Sequence, residues 1–489
     1  MRHLRFRTRL LPLIAVAGLL VPWEGRPAGV PAGSVPGEPS IRPVRWPDVS
    51  PIVGRLSAAL PPEIQAAPEA QRAARWDDWV AARRRQMDTR LQQGHADSLV
   101  NLLLFGTAFT TEPRITAELL EELNERWRAG DRSAQETLSL AYRRRAADLV
   151  RALASPGGSE RLEMGRRTLA RMGHDVSTER GRAAAADDLL AHVIRVRQES
   201  AALAAALEGA RSSQQGTSAF VAESTIFRDR GLAPDSSLLT QFAVDRALCA
   251  IAPRGVLRPR SIRRIVIVGP GLDFADKQEG FDFYEPQSLQ PFTAVDSLRQ
   301  CGLSGADAPD VLAIDVSDRV LSHLRGARQR ADAGAPYPIV LPLGGAAASE
   351  AAMRYWAGAG ASIGTPFDVE VPGALSGVRA RAVAVRPAVL RKLRVVEANV
   401  VLDRVSLPER ERADLVIATN VLLYYDTFEQ ALAAAAIAGL LRPGGLLLTN
   451  TALLEIPELP LRSAGHVTVR FSESGSDGEH MVWYERRPE

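Results

Sequence analysis

The sequence predicts an α/β fold in which a mostly parallel sheet ends in an antiparallel hairpin, preceded by an α-helical domain. Three observations predict it. From about residue 260 onward, aliphatic runs alternate with amphipathic stretches, the pattern of strand and crossover helix. Near the end, "HVTVRFSE" and "EHMVWYERR" are alternating runs joined by the turn residues "SGSDG". Before residue 215, apolar residues recur at helical spacing with charged residues between them.

At 489 residues, with 46% hydrophobic and 24% charged side chains, the chain has ordinary globular composition and room for two to four domains. Its formal charge of +3 leans on residues 1–32, where Arg2, Arg5, Arg7, Arg9 and Arg26 face only Glu24. The remainder is close to neutral, so the charge gives no ground for a nucleic-acid partner. Cys249 and Cys301 are the only cysteines. They exclude a disulfide framework and a cysteine-rich zinc site, while one bridge between them stays open. The seven histidines show no metal-ligand spacing, and no metal is expected.

Residues 1–32 read as an export signal: a basic stretch through Arg9, then the apolar run Leu10 to Val21, then a Pro/Gly/Ala-rich segment. Twelve apolar residues fall short of the roughly 20 that span a bilayer. The expected location is extracytoplasmic, periplasmic or secreted; a misplaced start codon would make it cytoplasmic. Membrane association follows only if the segment stays uncleaved as an anchor.

Residues 33–67 read as a Pro/Gly-rich linker. The helical domain is expected over 68–215, with Trp76, Trp79 and Trp127 as core residues and "DSLVNLLLFGTAFT" as a buried helix and turn. The α/β domain is expected over 216–489. Strand one is placed at Ile262 to Val268, a helix at about Pro286 to Cys301 and strand two at Val311 to Asp315. Strand three is placed at Val378 to Val385 and strand four at Asp414 to Thr419. A helix over Asp426 to Arg442 and strand five at Gly445 to Thr449 complete the pattern before the hairpin.

Strand one runs into Gly269-Pro270-Gly271, a turn at which a backbone free of Cβ atoms comes close to a ligand. The third glycine of a dinucleotide fingerprint is absent, as Leu272, Asp273 and Phe274 follow. In order, the glycine turn, Asp315 ending strand two, "ADLVIATNVLLYY" at strand four and "LLRPGGLLLTN" before strand five resemble the class I S-adenosylmethionine-dependent methyltransferases. The strand-four to strand-five segment is similar to that of the chemotaxis receptor glutamate methyltransferases. The resemblance covers roughly residues 220 to 489, and the closing hairpin fits the family's Rossmann-like sheet, which ends in an antiparallel pair.

The resemblance implies S-adenosylmethionine as cofactor and a methyl acceptor that the sequence does not identify. Gly269, Gly271 and Asp273 would hold the cofactor, with open amides at the turn taking its carboxylate. Asp315 would accept hydrogen bonds from the ribose hydroxyls, its other reading being a helix N-cap. Thr419 and Asn420 would touch the cofactor, and Asn420 and Tyr424 would act at the reacting centre, the ring suiting a sulfonium; a helix cap and a core tyrosine are the alternatives. "RPGG" at 442–445 is read as a structural turn. In-line methyl transfer asks chiefly for positioning and exclusion of water, so no catalytic base is required.

Two features depart from the family. "LDFADKQEGFDFYEP" separates the glycines from the next helix, and its Asp273, Phe274, Phe281, Phe283 and Tyr284 would form a lid, an acceptor pocket or a plug. An export signal also conflicts with a cofactor made in the cytoplasm. These features support the alternative function, an exported non-catalytic binding or scaffold protein with a degenerate methyltransferase fold. Before strand one, Asp235 or Ser236 is read as a helix cap, and Ser224, Thr225 and Arg230 as acceptor contacts. A nicotinamide dehydrogenase is the third reading, opposed by the missing glycine.

Overall fold

The computed structural model describes residues 39–212, 227, 230–275, 281–343, 349–375, 378–472 and 478–488. The expected export signal, Leu10 to Val21, lies outside the described residues, as do Ser224 and Thr225. In chain order the strands are β1 (Ser40–Pro43), β2 (Arg264–Val268), β3 (Asp310–Asp315), β4 (Tyr337–Leu343), β5 (Gly364–Phe367), β6 (Arg379–Val385), β7 (Leu393–Glu397), β8 (Asp403–Ser406), β9 (Ala413–Ala418), β10 (Leu441–Thr449), β11 (Leu461–Arg470) and β12 (Gly478–Arg486).

Seven of them form the main sheet, in the order β11-β12-β10-β9-β2-β3-β7. β7, β3, β2, β9 and β10 are mutually parallel, and β12 runs antiparallel to both β10 and β11. β2 and β9 read RIVIV and ADLVIA because helices cover both faces of the sheet, so nearly every position is buried. Alternate residues divide between two cores. Ile265, Ile267, Leu415 and Ile417 pack with Phe242 and Phe292, from the helices Leu238–Ile251 and Gln290–Gln300. Val266, Val268, Val416 and Ala418 pack with Phe428 of the helix Thr427–Leu440 and with Trp76 and Trp79. That last helix begins with a capping box, Asp426 taking the Glu429 amide and the Glu429 carboxylate taking that of Asp426.

The sheet's third parallel strand is β7, not the 378–385 segment chosen from the sequence. RARAVAV alternates with period two because it is the centre of a separate antiparallel sheet, β4-β6-β5. The five-residue LRVVE, at the edge of the main sheet, carries a weaker signal.

The helices Glu69–Phe105, Ala117–Arg128, Ser133–Ala154, Glu160–Arg171 and Glu179–Ser212 occupy the region expected to be helical. Their Leu99, Leu149, Leu169 and Leu189 share one core with Phe242 and Ile265, so helices and sheet are continuous over residues 39–489. Trp76 and Trp79 are buried, but Trp127 is 41% exposed beneath the Arg132 guanidinium, correcting its placement in the core. The expected linker also takes a structured form. Residues 40–43 pair with β8, and Val49, Ile52, Leu56 and Ile64 bury against the sheet's helical cover, which the prolines tolerate at helix starts.

Cys249 and Cys301 form a disulfide that joins the helix Leu238–Ile251 to the end of the helix Gln290–Gln300. Among the described residues, no helix is long and apolar enough to cross a membrane.

Candidate functional site

From β2 the chain steps to β3 and β7 on one side of the sheet, whereas β9 is followed by β10 on the other. Neighbouring strands whose connections diverge open a crevice at their carboxyl ends, where open α/β sheets place their ligands. Here it is a cleft of about 770 Å³, counting its open mouth. Its walls come from the ends of four parallel strands: Gly269 to Gly271 after β2, Asp315 to Ser317 after β3, Ala398 and Val400 after β7, and Thr419 to Val421 after β9. A fifth wall, Pro234 to Gln241, leads into the helix Leu238–Ile251.

Gly269 and Gly271 have φ of +66° and +68°, the left-handed region that glycine enters without steric cost. A Cβ at Gly269 would lie 2.4 Å from Val421 Cγ2, and one at Gly271 3.0 Å from the Ser236 backbone. The turn is therefore a close approach of two chain segments as well as a ligand wall. The amides that were to be open are in use. Those of Gly269, Leu272, Asp273 and Phe274 donate to Ile314, Pro234, Gln287 and Leu272 carbonyls, and the next helix among the described residues begins only at Gln290.

Asp315 is 8% exposed and lines the cleft. Burial raises its carboxyl from 3.8 to about 6, against the opposing pull of the Ser317, Val316 and Gly271 amides. Oδ1 accepts from the Ser317 amide at 2.8 Å, while Ser317, the N-cap, makes no side-chain cap bond. Asp315 is therefore not the helix N-cap, which is Ser317, and its carboxylate lines the cleft.

Thr419, Asn420 and Tyr424 all line the cleft. Thr419 Oγ1 accepts from Gln290 Nε2 at 2.7 Å. Asn420 has φ +57° and is pinned there: its amide donates to Asn450 Oδ1 at 2.9 Å, Nδ2 donates to Thr240 Oγ1 at 2.9 Å, and Oδ1 accepts from Asn450 Nδ2 at 2.7 Å. Glu479, whose carboxyl is raised by burial, takes hydrogen bonds from Asn450 and Thr240 behind it. Much of the Asn420 amide is thereby committed to holding the loop. Tyr424 meets Phe227 edge-on at 6.2 Å, and its carbonyl accepts from Arg90.

Asp273 is corrected. Its carboxylate turns away from the cleft to accept from Tyr284 Oη at 2.7 Å and Gln287 Nε2 at 3.0 Å. The inserted segment carries Phe281 and Tyr284 under the small sheet, against Val340, Leu375 and Ala382, so its described part is neither lid nor plug over the cleft. Arg230 pairs with Glu199 at 3.3 Å and does not line the cleft. Asp235 and Ser236 do not cap the following helix, whose N-cap is Ser237.

Asp235 has a different role, which no spacing in the sequence signals. Oδ1 accepts from Arg319 Nη2 at 2.7 Å and from Ser98 Oγ at 2.8 Å, joining three distant segments in a buried network. Oδ2 is buried without a partner and belongs to a residue lining the cleft, as does the unpartnered Ser236 hydroxyl. Among the described residues, one group brings three metal-ligand atoms together, Asp245 with Cys249 and Cys301, and its sulfurs are bonded to each other.

Neither a family model nor a curated protein matches the chain. Among solved structures it is similar to magnesium protoporphyrin IX methyltransferase (ChlM) from Synechocystis PCC 6803 with bound SAH, at 10% identity and TM-score 0.24 over 60% of this chain and 98% of that one. It is also similar to the glycopeptide N-methyltransferase MtfA complexed with S-adenosyl-L-homocysteine, at 11% identity and TM-score 0.25 over 54% of this chain and 91% of that one. Similarity to CalS10, an amino pentose methyltransferase from Micromonospora echinaspora, is 14% in sequence with TM-score 0.19, over 51% and 70%. Likeness at this level carries no argument, and the ligand is read from the cleft itself.

Proposed function

We propose that the cleft binds S-adenosylmethionine and that the protein is a methyltransferase of the class I kind, acting on an acceptor still to be identified. One observation carries the reading: at the switch point between β2 and β9, a double-glycine left-handed turn faces a buried carboxylate at the end of the adjacent strand. That pairing suits a nucleoside whose ribose needs an acceptor and whose other end needs a close approach to backbone. The antiparallel β12 beside β10 accords with the family's sheet.

The donor set fits the group. Asp315 would accept from the ribose hydroxyls. The free Oδ2 of Asp235 would accept from the ammonium of the methionine moiety, and the Ser236 hydroxyl, also without a partner, would donate to its carboxylate. Ala398 and Val400 offer an apolar wall for the base. When bound, the cofactor supplies a methyl group on a positively charged sulfur. The chain's task is to orient it and exclude water: Asn420, held at φ +57° by Asn450 and Thr240, fixes the loop beyond β9, and the ring of Tyr424, a residue lining the cleft, would stabilise the cation.

We further propose that the protein works outside the cytoplasm, in line with the export signal expected over residues 1–32. The disulfide between its only two cysteines supports that location, which is where such bonds persist. The cofactor would then have to be delivered to that compartment. Thermal unfolding of the purified protein with S-adenosylhomocysteine, and separately with NADH, tests the ligand class. Stabilisation by the first alone is expected. Stabilisation by NADH alone would overturn the reading in favour of a dehydrogenase.

A further inference from the structure

The opposite end of the main sheet's strands carries a second cleft, of about 1580 Å³ counting its open mouth. It lies at the amino ends of β2, β3 and β7, formed by the segment before β2, the loop between Cys301 and β3, and the turn before β7. It shares no lining residue with the cleft at the carboxyl ends. Four cations line it, Arg260, Arg299, Arg386 and Lys392, and Asp307 is the one carboxylate that does.

Surface arginines usually find carboxylates. Lys392 does, with Asp310 at 3.1 Å. Among the described residues, no carboxylate lies within ion-pair distance of Arg260, Arg299 or Arg386. Arg299 and Arg386 instead both donate to the Ser362 carbonyl, which fixes two guanidinium groups side by side. Burial, and next the Arg386 charge, lower the affinity of Arg299 for its proton, outweighing the opposing pull of the Asp296 and Asp307 carboxylates. Two polar atoms are also orphaned here: Arg299 Nε, and the hydroxyl of Ser304, a residue only 5% exposed. Finally, Arg260 sits at φ +55°, a strained conformation for a non-glycine residue, held by its amide's bond to the Gly302 carbonyl.

Two guanidinium groups held side by side, a third arginine lining the same cleft and an unpartnered hydroxyl are features that suit an anion. We propose that this cleft binds a phosphate-bearing small molecule through Arg260, Arg299 and Arg386, with the Ser304 hydroxyl beside them. Guanidinium forks match phosphate oxygens in geometry, and a group of charge −2 or more neutralises what one carboxylate would leave. The site is independent of the methyl-donor reading.

The test is isothermal titration of inorganic pyrophosphate into the full chain at low salt, with sulfate as a control for any anion. Saturable one-to-one binding in the submillimolar range is expected, weaker for sulfate and weaker at high salt. Arg386→Glu should lower affinity by at least about tenfold. Because Arg386 also holds the Ser362 carbonyl, Arg260→Ala is the companion variant. Among the described residues no acceptor takes the Arg260 side chain, so its melting temperature should be unchanged while pyrophosphate affinity falls and S-adenosylhomocysteine stabilisation stays as in wild type. No saturable heat, equal binding of sulfate, or affinity indifferent to both substitutions would overturn the proposal.

Discussion

Asp315→Asn is the substitution that asks most of the cleft. In the free protein, burial holds this carboxyl at about 6 instead of 3.8, which corresponds to roughly 3 kcal/mol against its ionisation. Because the folded value is raised, the folded state binds more protons than the unfolded one between these values. The stability contributed is full below pH 3.8 and lost as pH rises through about 6. Ribose hydroxyls would donate to the ionised form, so ligand binding must expel the proton. Wild-type affinity for S-adenosylhomocysteine should therefore fall about tenfold from pH 7.5 to pH 5, with proton release measurable by titration in buffers of different ionisation enthalpy. The asparagine variant should show a flat profile and an affinity at pH 7.5 about ten- to a hundredfold lower, one charge-assisted interaction being worth about 1.5–3 kcal/mol. Urea unfolding at pH 7.5 should find it more stable than wild type by up to about 3 kcal/mol. A wild-type affinity unchanged across that range, or a variant that binds equally well, would refute the role given to Asp315.

Further expectations follow from the same geometry. Gly271→Ala places a Cβ 3.0 Å from the Ser236 backbone at φ +68°, and urea unfolding should show a loss of about 1–3 kcal/mol together with weaker ligand binding; a silent substitution would show that the turn is not constrained. Asp235→Ala strands the buried Arg319 charge and should cost about 3–5 kcal/mol, much of it recovered when Arg319→Met is added; a double variant no better than the single would refute the pairing. Reducing the Cys249–Cys301 bond, which spans 52 residues, should destabilise the protein by about 4 kcal/mol in the chain-entropy account, read as a lower melting temperature with reductant; identical melts would contradict it.

What the sequence disclosed follows the physics of each signal. β2, β9 and the closing hairpin were legible because runs buried on two faces, or on one, leave distinct apolar patterns. The third parallel strand was misplaced because the small antiparallel sheet presents the stronger alternation in RARAVAV. Gly269, Gly271 and Asp315 are legible as strand-end positions, and all three line the cleft. Asp273 looked equivalent by proximity, but the chain turns after Leu272 and sends its carboxylate to Tyr284. The Asp235–Arg319–Ser98 network has no sequence spacing to betray it, since each residue comes from a different segment and only the fold unites them. The helical half was legible as helix but not as part of the sheet's core, because amphipathic spacing names a buried face without naming what covers it.

The central claim is that the cleft between β2 and β9 holds S-adenosylmethionine. Isothermal titration of S-adenosylmethionine into wild-type protein and into Asp315→Ala at pH 7.5 tests it most directly. A micromolar dissociation constant, about −8 kcal/mol, in wild type and a loss of at least about tenfold in a variant that remains folded are predicted. Absence of binding by wild-type protein at millimolar ligand would contradict the account.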